Sequence, residues 1–187
     1  LFYLKVGKYK IEIASLKVKN LLKNPSFEVW ENGKPRHWTT KKRNFKLKSD
    51  KGQEGKYSLS VITNTAEKDW SWVRSEPIEV KPGEEYLIIT HVKIYNAKGS
   101  HVAIDGCKNS RCKRVINCPV GIEGTGTYDW KEFTCKVEIP EGVDNIRIVL
   151  NAGWVLNKSK GEAITWFDDI QVIPLNEAPK LDVVWLY

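Results

Sequence analysis

At 187 residues the chain can bury one good core and is too short for two comfortable domains. Eight Trp, seven Tyr and five Phe lean toward β structure, and no apolar run reaches the roughly 18 residues of a membrane span or forms a signal peptide. The formal charge of +7 is one-sided: residues 1–56 carry 15 Lys or Arg against 5 acids, whereas residues 57–187 carry 15 against 18. Those cations are scattered through strands and loops with no recognition helix, which argues against a nucleic-acid partner.

Methionine is absent and the chain begins at Leu1, as expected of a fragment or processed region of a larger protein. Residues 1–19 alternate apolar and basic residues around Gly7 and read as a strand appendage or linker. From Asn20 to Trp38 turn formers punctuate: Pro25, Asn32-Gly33 and Pro35. The stretch from Gly52 to Gly55 reads as a loop, and Tyr57–Ile62, Trp72–Arg74 and Ile78–Val80 read as strands before a turn at Pro82-Gly83. Tyr86–Tyr95 is the longest strand candidate, alternating Val92 and Ile94 with His91, Lys93 and Tyr95. Strand character resumes over 101–105, and residues 106–127 read as a long insertion rich in Gly, Cys and basic residues. Phe133–Ile139, Asn145–Leu150 and Ala163–Ile173 complete the strands, with a turn at Pro140-Glu141-Gly142 and a loop from Asn151 to Glu162. Eight or nine strands at short spacing, without an amphipathic helix, indicate an all-β antiparallel β-sandwich of the jelly-roll type over residues 20–174. Residues 175–187 end in an apolar run and read as an extension packing on the domain or leading to a neighbouring one.

Cys107, Cys112, Cys118 and Cys135 lack the paired C-x2-C spacing of structural zinc sites and read as disulfide candidates, with Cys135 tying down the loop that holds the other three. Disulfides imply an extracellular or cell-surface setting, hyperthermophile cytosols excepted. Many Lys, Glu, Ile and Val with two Gln and no Met suit a thermophile's surface. Asn157-Lys158-Ser159 is a glycosylation sequon in a polar loop.

Two further segments stand out at opposite ends: Asn24-Pro25-Ser26-Phe27-Glu28 and Phe167-Asp168-Asp169-Ile170. Together with Gly55-Lys56-Tyr57-Ser58-Leu59, Val80-Lys81-Pro82-Gly83-Glu84-Glu85-Tyr86, Trp130-Lys131-Glu132-Phe133 and Trp166, their order resembles carbohydrate-binding modules of the family 4, 9 and 22 type, which share a galactose-binding-domain-like β-sandwich. The resemblance covers residues 20–174. It implies a structural Ca2+ joining the opening loop to the last strand, with Glu28 and Asp168 as carboxylate ligands and the Glu54 side chain and backbone carbonyls of the loop through Lys56 adding to them. The alternative is that Glu28 pairs with a Lys and the two Asp residues cap a strand end.

The resemblance also implies a sugar-binding face, on which aromatic rings meet the C–H faces of pyranoses beside hydrogen-bonding groups. Trp70, Trp72 and Arg74 share one strand parity; His91, Tyr95 and Trp154 are the further candidates. Trp130 and Trp166, inside fold motifs, read as packing residues. Three His and no nucleophile elbow, phosphate loop or dinucleotide fingerprint give no enzyme signature. The leading reading is thus a non-catalytic, calcium-stabilised module that binds a polysaccharide or oligosaccharide, alongside neighbouring domains of a larger protein. The alternative is an interaction β-sandwich of a membrane or cell-surface protein that has no sugar site of its own, favoured by the apolar flanks Leu1–Ile13 and Leu181–Tyr187.

Overall fold

The structure is a computed structural model that describes residues 2–6, 9–17, 19–41, 45–53, 55–66, 72–108, 111–116, 124–176 and 180–185. About 64% of it is strand and 2% helix, which makes the protein all-β, as its alternating sequence requires. In chain order the strands are β1 (Phe2–Val6), β2 (Tyr9–Lys17), β3 (Trp30–Glu31), β4 (Lys34–Pro35), β5 (Trp38–Lys41), β6 (Phe45–Asp50), β7 (Ser58–Thr63) and β8 (Trp72–Ser75). They continue as β9 (Ile78–Glu79), β10 (Glu85–Lys108), β11 (Arg111–Ile116), β12 (Gly124–Glu138), β13 (Asn145–Asn151), β14 (Trp154–Val155), β15 (Ala163–Pro174) and β16 (Lys180–Trp185). A 3-10 turn, Lys158–Lys160, lies between β14 and β15. Among the described residues no helix is long and apolar enough to cross a membrane.

Strand β10 organises the sandwich. Its first part pairs with β12 on one side and β15 on the other, and β15 continues through β7 to β6, forming a back sheet. Its last part, from His101, pairs with β13 and β11, and β13 continues through β8 to β5, forming a front sheet. Every pairing is antiparallel. Tyr86, Ile88, Thr90, Val92 and Ile94 of β10 are buried while Leu87, Ile89, His91 and Lys93 between them are half-exposed, the period-2 signature of a strand with one face on the core. The core between the sheets is built from Phe27, Leu59, Ile94, Ile104, Ile148 and Phe167 with their neighbours, all essentially inaccessible.

The bend that carries β10 from one sheet to the other lies at Asn96–Ser100, where Asn96 (φ 50°) and Gly99 (φ 76°) adopt left-handed backbone. Residues 106–127, expected to be an insertion, are strand wherever they are described: 106–108 end β10, β11 returns against it, and β12 begins at Gly124. The cross-strand disulfide Cys107–Cys112 fastens this hairpin, so its Gly and basic residues do not open it into a loop. The two flanks pair with one another: β1, β2 and β16 form a separate three-stranded sheet, with Val183 opposite Ile13 and Trp185 opposite Ile11.

Phe27 has a positive φ of 54°, an uncommon conformation for a bulky residue, and it is fully buried with its ring 5.0 Å from that of Trp38. Packing therefore holds the turn that sends Phe27 inward and Glu28 toward the 52–57 loop. Phe27→Ala is expected to cost about 3–5 kcal/mol, read as a lowered urea midpoint at unchanged m-value; a loss under 1 kcal/mol would mean that the ring is not part of the core.

Candidate functional site

The outward face of the front sheet is partly covered. Ala103, Asp105, Val149 and Asn151 point away from the core by strand parity yet are 4–9% exposed. Trp72 and Arg74, whose shared parity predicts a common face, do share it, and the Arg74 guanidinium lies 4.0 Å from the centroid of the half-buried Trp72 ring. Arg74 sits opposite Val149 on β13 and reaches across it to β10, where its Nη2 is 2.7 Å from Asp105 Oδ2. Asp105 in turn stands opposite Arg147, whose Nη1 donates to the Ser75 carbonyl at 3.2 Å. The Nε of each arginine is buried without a hydrogen-bond partner. Asn151 uses its Oδ1 to accept from Gly153 N, and Thr39 Oγ1 donates to the Arg74 carbonyl. Sequence reasoning missed Asp105, Arg147 and Asn151; the available signal was the charged or amide residue at the outward parity of strands 101–105 and 145–151.

His91 and Tyr95 do not join this face. They stand on the first part of β10, before the crossover, and therefore face outward from the back sheet, on the other side of the core. This corrects their grouping with Trp72 and Arg74: strand parity was read correctly, but β10 changes sheets at Asn96–Ser100. There, His91 lies between Glu132 Oε2 (3.6 Å from Nε2) and Asp169 Oδ2 (3.7 Å from Nδ1), and Tyr95 is exposed. Trp166, expected to pack, is half-buried on the same outward face, with Nε1 donating to Asp50 Oδ2 at 3.1 Å and Lys93 Nζ 5.6 Å from its ring. Burial works to raise the Asp50 carboxyl, but the hydrogen bonds from Trp166 and the Lys51 amide and the charges of Lys48 and Lys93 together hold it below its ordinary value. The hydrogen bond from Lys93, 2.9 Å away, and the Trp130 amide likewise lower Asp129.

Trp154 lies beside the crossover, opposite Lys98, where its ring covers Gly99 so closely that a Cβ there would stand 2.5 Å from it. Asn157 is exposed but caps the 3-10 turn, accepting from Ser159 N and Oγ through Oδ1. Trp70, Glu54 and Cys118 lie outside the described residues. Cys107 and Cys112 are bonded to each other, and Cys135 is disulfide-bonded to a partner outside the described residues.

The two signature carboxylates converge on one loop from opposite ends of the chain. Glu28 Oε1 accepts from Lys56 N and Tyr57 N, each at 2.8 Å, and a Cβ on Gly55 would come within 2.5 Å of the same oxygen. Asp168, fully buried, accepts from Gln53 N at 2.7 Å through Oδ2 and from Asp169 N at 2.8 Å through Oδ1. A bulge in β15 makes this possible: the three-residue step from Asp168 to Gln171 spans the two-residue step from His91 to Ile89, and Asp169 takes a positive φ of 41°. A groove of about 510 Å3 elsewhere, lined by Lys19, Glu79, Lys81, Glu84, Tyr86 and Asp144 among others, offers no exposed ring, because Tyr86 is buried with its hydroxyl bonded to Glu84 and Lys81.

The family model described as a carbohydrate binding domain, of the 4 and 9 type, matches residues 19–160. Among solved structures, the CBM22-1 xylan-binding domain of Paenibacillus barcinonensis Xyn10C aligns at 16% identity and TM-score 0.56, over 88% of this chain and 100% of that one. TmCBM61, solved with β-1,4-galactotriose, aligns at 19% identity and TM-score 0.53, over 83% and 99%. The enzymatically active domain of bacteriophage CBA120 tailspike protein 4 aligns at 13% identity and TM-score 0.58, over 83% of this chain, which spans 21% of that one. At these identities the likenesses establish the fold. No curated protein matches the sequence.

The Arg74–Asp105 pair generates a direct expectation. Asp105→Ala leaves a mostly buried guanidinium without its carboxylate and is expected to destabilise by about 1–3 kcal/mol, whereas adding Arg74→Met recovers part of the loss. Urea midpoints of the single and double variants measure this; an unchanged midpoint for Asp105→Ala would show a solvated pair without energetic weight.

Proposed function

The chain belongs to the carbohydrate binding domain family, whose model spans most of it, and we propose that it holds a saccharide on the outward face of its front sheet without acting on it chemically. The observation that carries this reading is the half-buried Trp72 ring, set against the Arg74 guanidinium on an outward face where Ala103, Asp105, Val149 and Asn151 are covered while Thr39 is exposed and His101 and Arg147 are half-buried. The cation backs one face of the indole and so orients it; a sugar would lay its C–H surface on the opposite face. The hydroxyls around that surface would meet the donors and acceptors of Arg74, Asp105 and Asn151. The Arg74–Asp105 ion pair and the stacked indole hold these groups in place before binding, which lowers its ordering cost. Modules of this family are non-catalytic.

Calcium belongs to the same proposal. Glu28 and Asp168 offer hard oxygens from two chain ends to one loop, the donor chemistry that Ca2+ takes in flexible geometry. Among the described residues no three His, Cys, Asp or Glu side chains converge, so the other ligands would be backbone carbonyls, water and Glu54. The ion would fasten the 52–57 loop to β15 and stay out of saccharide binding. The disulfides support an extracytoplasmic setting, where the domain would sit beside other domains of a larger protein.

Affinity gels with xylan, β-glucan, mannan, galactan and their acidic relatives test the saccharide reading. Retention of at least one polymer is expected, with Trp72→Ala abolishing it and Tyr95→Ala, on the back face, leaving it unchanged. No retention on any polymer would favour the interaction-domain alternative; loss with Tyr95→Ala but not Trp72→Ala would move the site to the back sheet. For calcium, Ca2+ at about 100-fold over Kd is expected to raise Tm by roughly 5–10 °C against a chelator-treated sample, and Glu28→Gln to remove most of that rise. An identical Tm with and without chelator would sink the metal reading.

A further inference from the structure

We propose that the saccharide taken by the front face is acidic, a glycan whose sugars carry carboxylate groups, and that Arg74 and Arg147 dock that carboxylate; this rests on the front-face reading above. Both guanidiniums project onto the face from neighbouring strands, Arg74 opposite Val149 and Arg147 opposite Asp105. Each spends part of its donor set within the protein: Arg74 Nη2 on Asp105 and Arg147 Nη1 on the Ser75 carbonyl. Each keeps a buried Nε–H with no acceptor in the protein. Buried guanidinium donors are rarely left unsatisfied, because their desolvation is not repaid. Two such donors on one face show that neither arginine uses up its hydrogen-bonding capacity within the protein.

The charge on the face points to what that acceptor is. Asp105 is the one carboxylate that forms an ion pair with either arginine among the described residues. The next acid by register, Glu79, stands opposite Asn145, two residues further along the ladder. Thr39, Trp72, Ala103, Val149 and Asn151 add no charge, and His101, with Nδ1 2.9 Å from the Gly99 carbonyl, can only add positive charge. On β11, Arg114 holds the ladder position opposite Asp105. Arg74 and Arg147 against Asp105 leave a net charge of at least +1, which a neutral glycan would not compensate and a carboxylate would. The planar guanidinium fork matches a planar carboxylate, and Asp105 Oδ2 at 2.7 Å from Arg74 shows that a carboxylate oxygen is accepted here. A densely sulfated chain brings more negative charge than this face balances. Trp72 then carries the apolar face of the same sugar while the arginines read its acid group.

The test is retention of the full chain on polygalacturonate, alginate and glucuronoxylan, each beside its own carboxyl-reduced neutral form, with dextran sulfate as a dense polyanion. At least one uronate polymer is expected to bind about tenfold or more tighter than its reduced form. The preference is expected to shrink between 50 and 500 mM salt and to be lost in Arg147→Gln. Because Arg147 also holds Ser75, Arg74→Lys is the second variant: it keeps the charge and loses the fork, and is expected to lower uronate retention while melting like the parent. Equal retention of acidic and reduced polymers overturns the inference and leaves the saccharide reading intact. Retention of nothing overturns both. Dextran sulfate bound as tightly as any uronate polymer, with no effect of either arginine variant, also overturns it, since that behaviour belongs to the basic first 56 residues.

Discussion

Between Asn96 and Ser100 a single strand leaves one sheet and joins the other, and the polar groups that this bend would strand are paired one by one. Asn96 is nearly inaccessible, and its amide donates to the carbonyls of Asn157, Gly161 and Glu162 while its Oδ1 accepts from Asn157 N. Ser100 Oγ meets the Ala152 carbonyl and Thr165 Oγ1, each at 2.8 Å, and Trp154 lies over Gly99 where no side chain would fit. A bend in the middle of a buried strand exposes backbone and side-chain dipoles to an apolar interior, and only such complete pairing makes it tolerable. The consequence reaches the surface. Residues before the bend turn their outward side chains to the back of the sandwich, and residues after it turn theirs to the front, so the crossover decides which candidate binding residues share a face.

The second fastening is electrostatic. Glu28 and Asp168 lie at opposite ends of the chain and hold one loop through three of its backbone N–H groups, those of Gln53, Lys56 and Tyr57, while Asp168 also accepts from Asp169 N on its own strand. A fully buried carboxylate such as Asp168 needs this pairing, because burying an unpaired charge is costly. The carboxylates close the sandwich at the point where its first and last segments meet, and a divalent cation would act on the same closure. Positive φ at Phe27 and Asp169 shows that the backbone bends out of its preferred regions to deliver both groups.

Much of this was legible in the sequence, for identifiable reasons. Alternation exposed Tyr86–Tyr95, Tyr57–Ile62 and Ala163–Ile173, because a strand with one face on the core must repeat every two residues. Pro82-Gly83 and Pro140-Glu141-Gly142 marked turns that the structure contains. The 96–100 crossover was not legible: Asn, Ala, Lys, Gly and Ser read as a break between two strands, and nothing local says that pairing continues on both sides. That one omission put His91 and Tyr95 with Trp72. The hairpin at 106–116 was hidden by its Gly and basic residues, since what holds it is a cross-strand disulfide together with pairing to β10. Arg147 and Asp105 were passed over because each looks like an isolated charge in an apolar strand; their meaning comes from register between strands far apart in sequence.

The two outward faces carry similar residues, a tryptophan with cations and carboxylates around it, and differ in how those groups are satisfied. On the back face Lys93 pairs with Asp129 and Trp166 with Asp50, pairs that are partly solvated and complete in themselves. His91 Nδ1, unsatisfied there, has Asp169 3.7 Å away and Glu132 at the other nitrogen, so a small adjustment or one water completes it from groups already present. On the front face Asp105 is already engaged by Arg74, and two buried guanidinium donors remain over. A surface made for water satisfies its polar groups with water or with one another. On the proposed reading, an acidic saccharide laid against the Trp72 indole would bring the acceptors that the front face does not supply from its own residues.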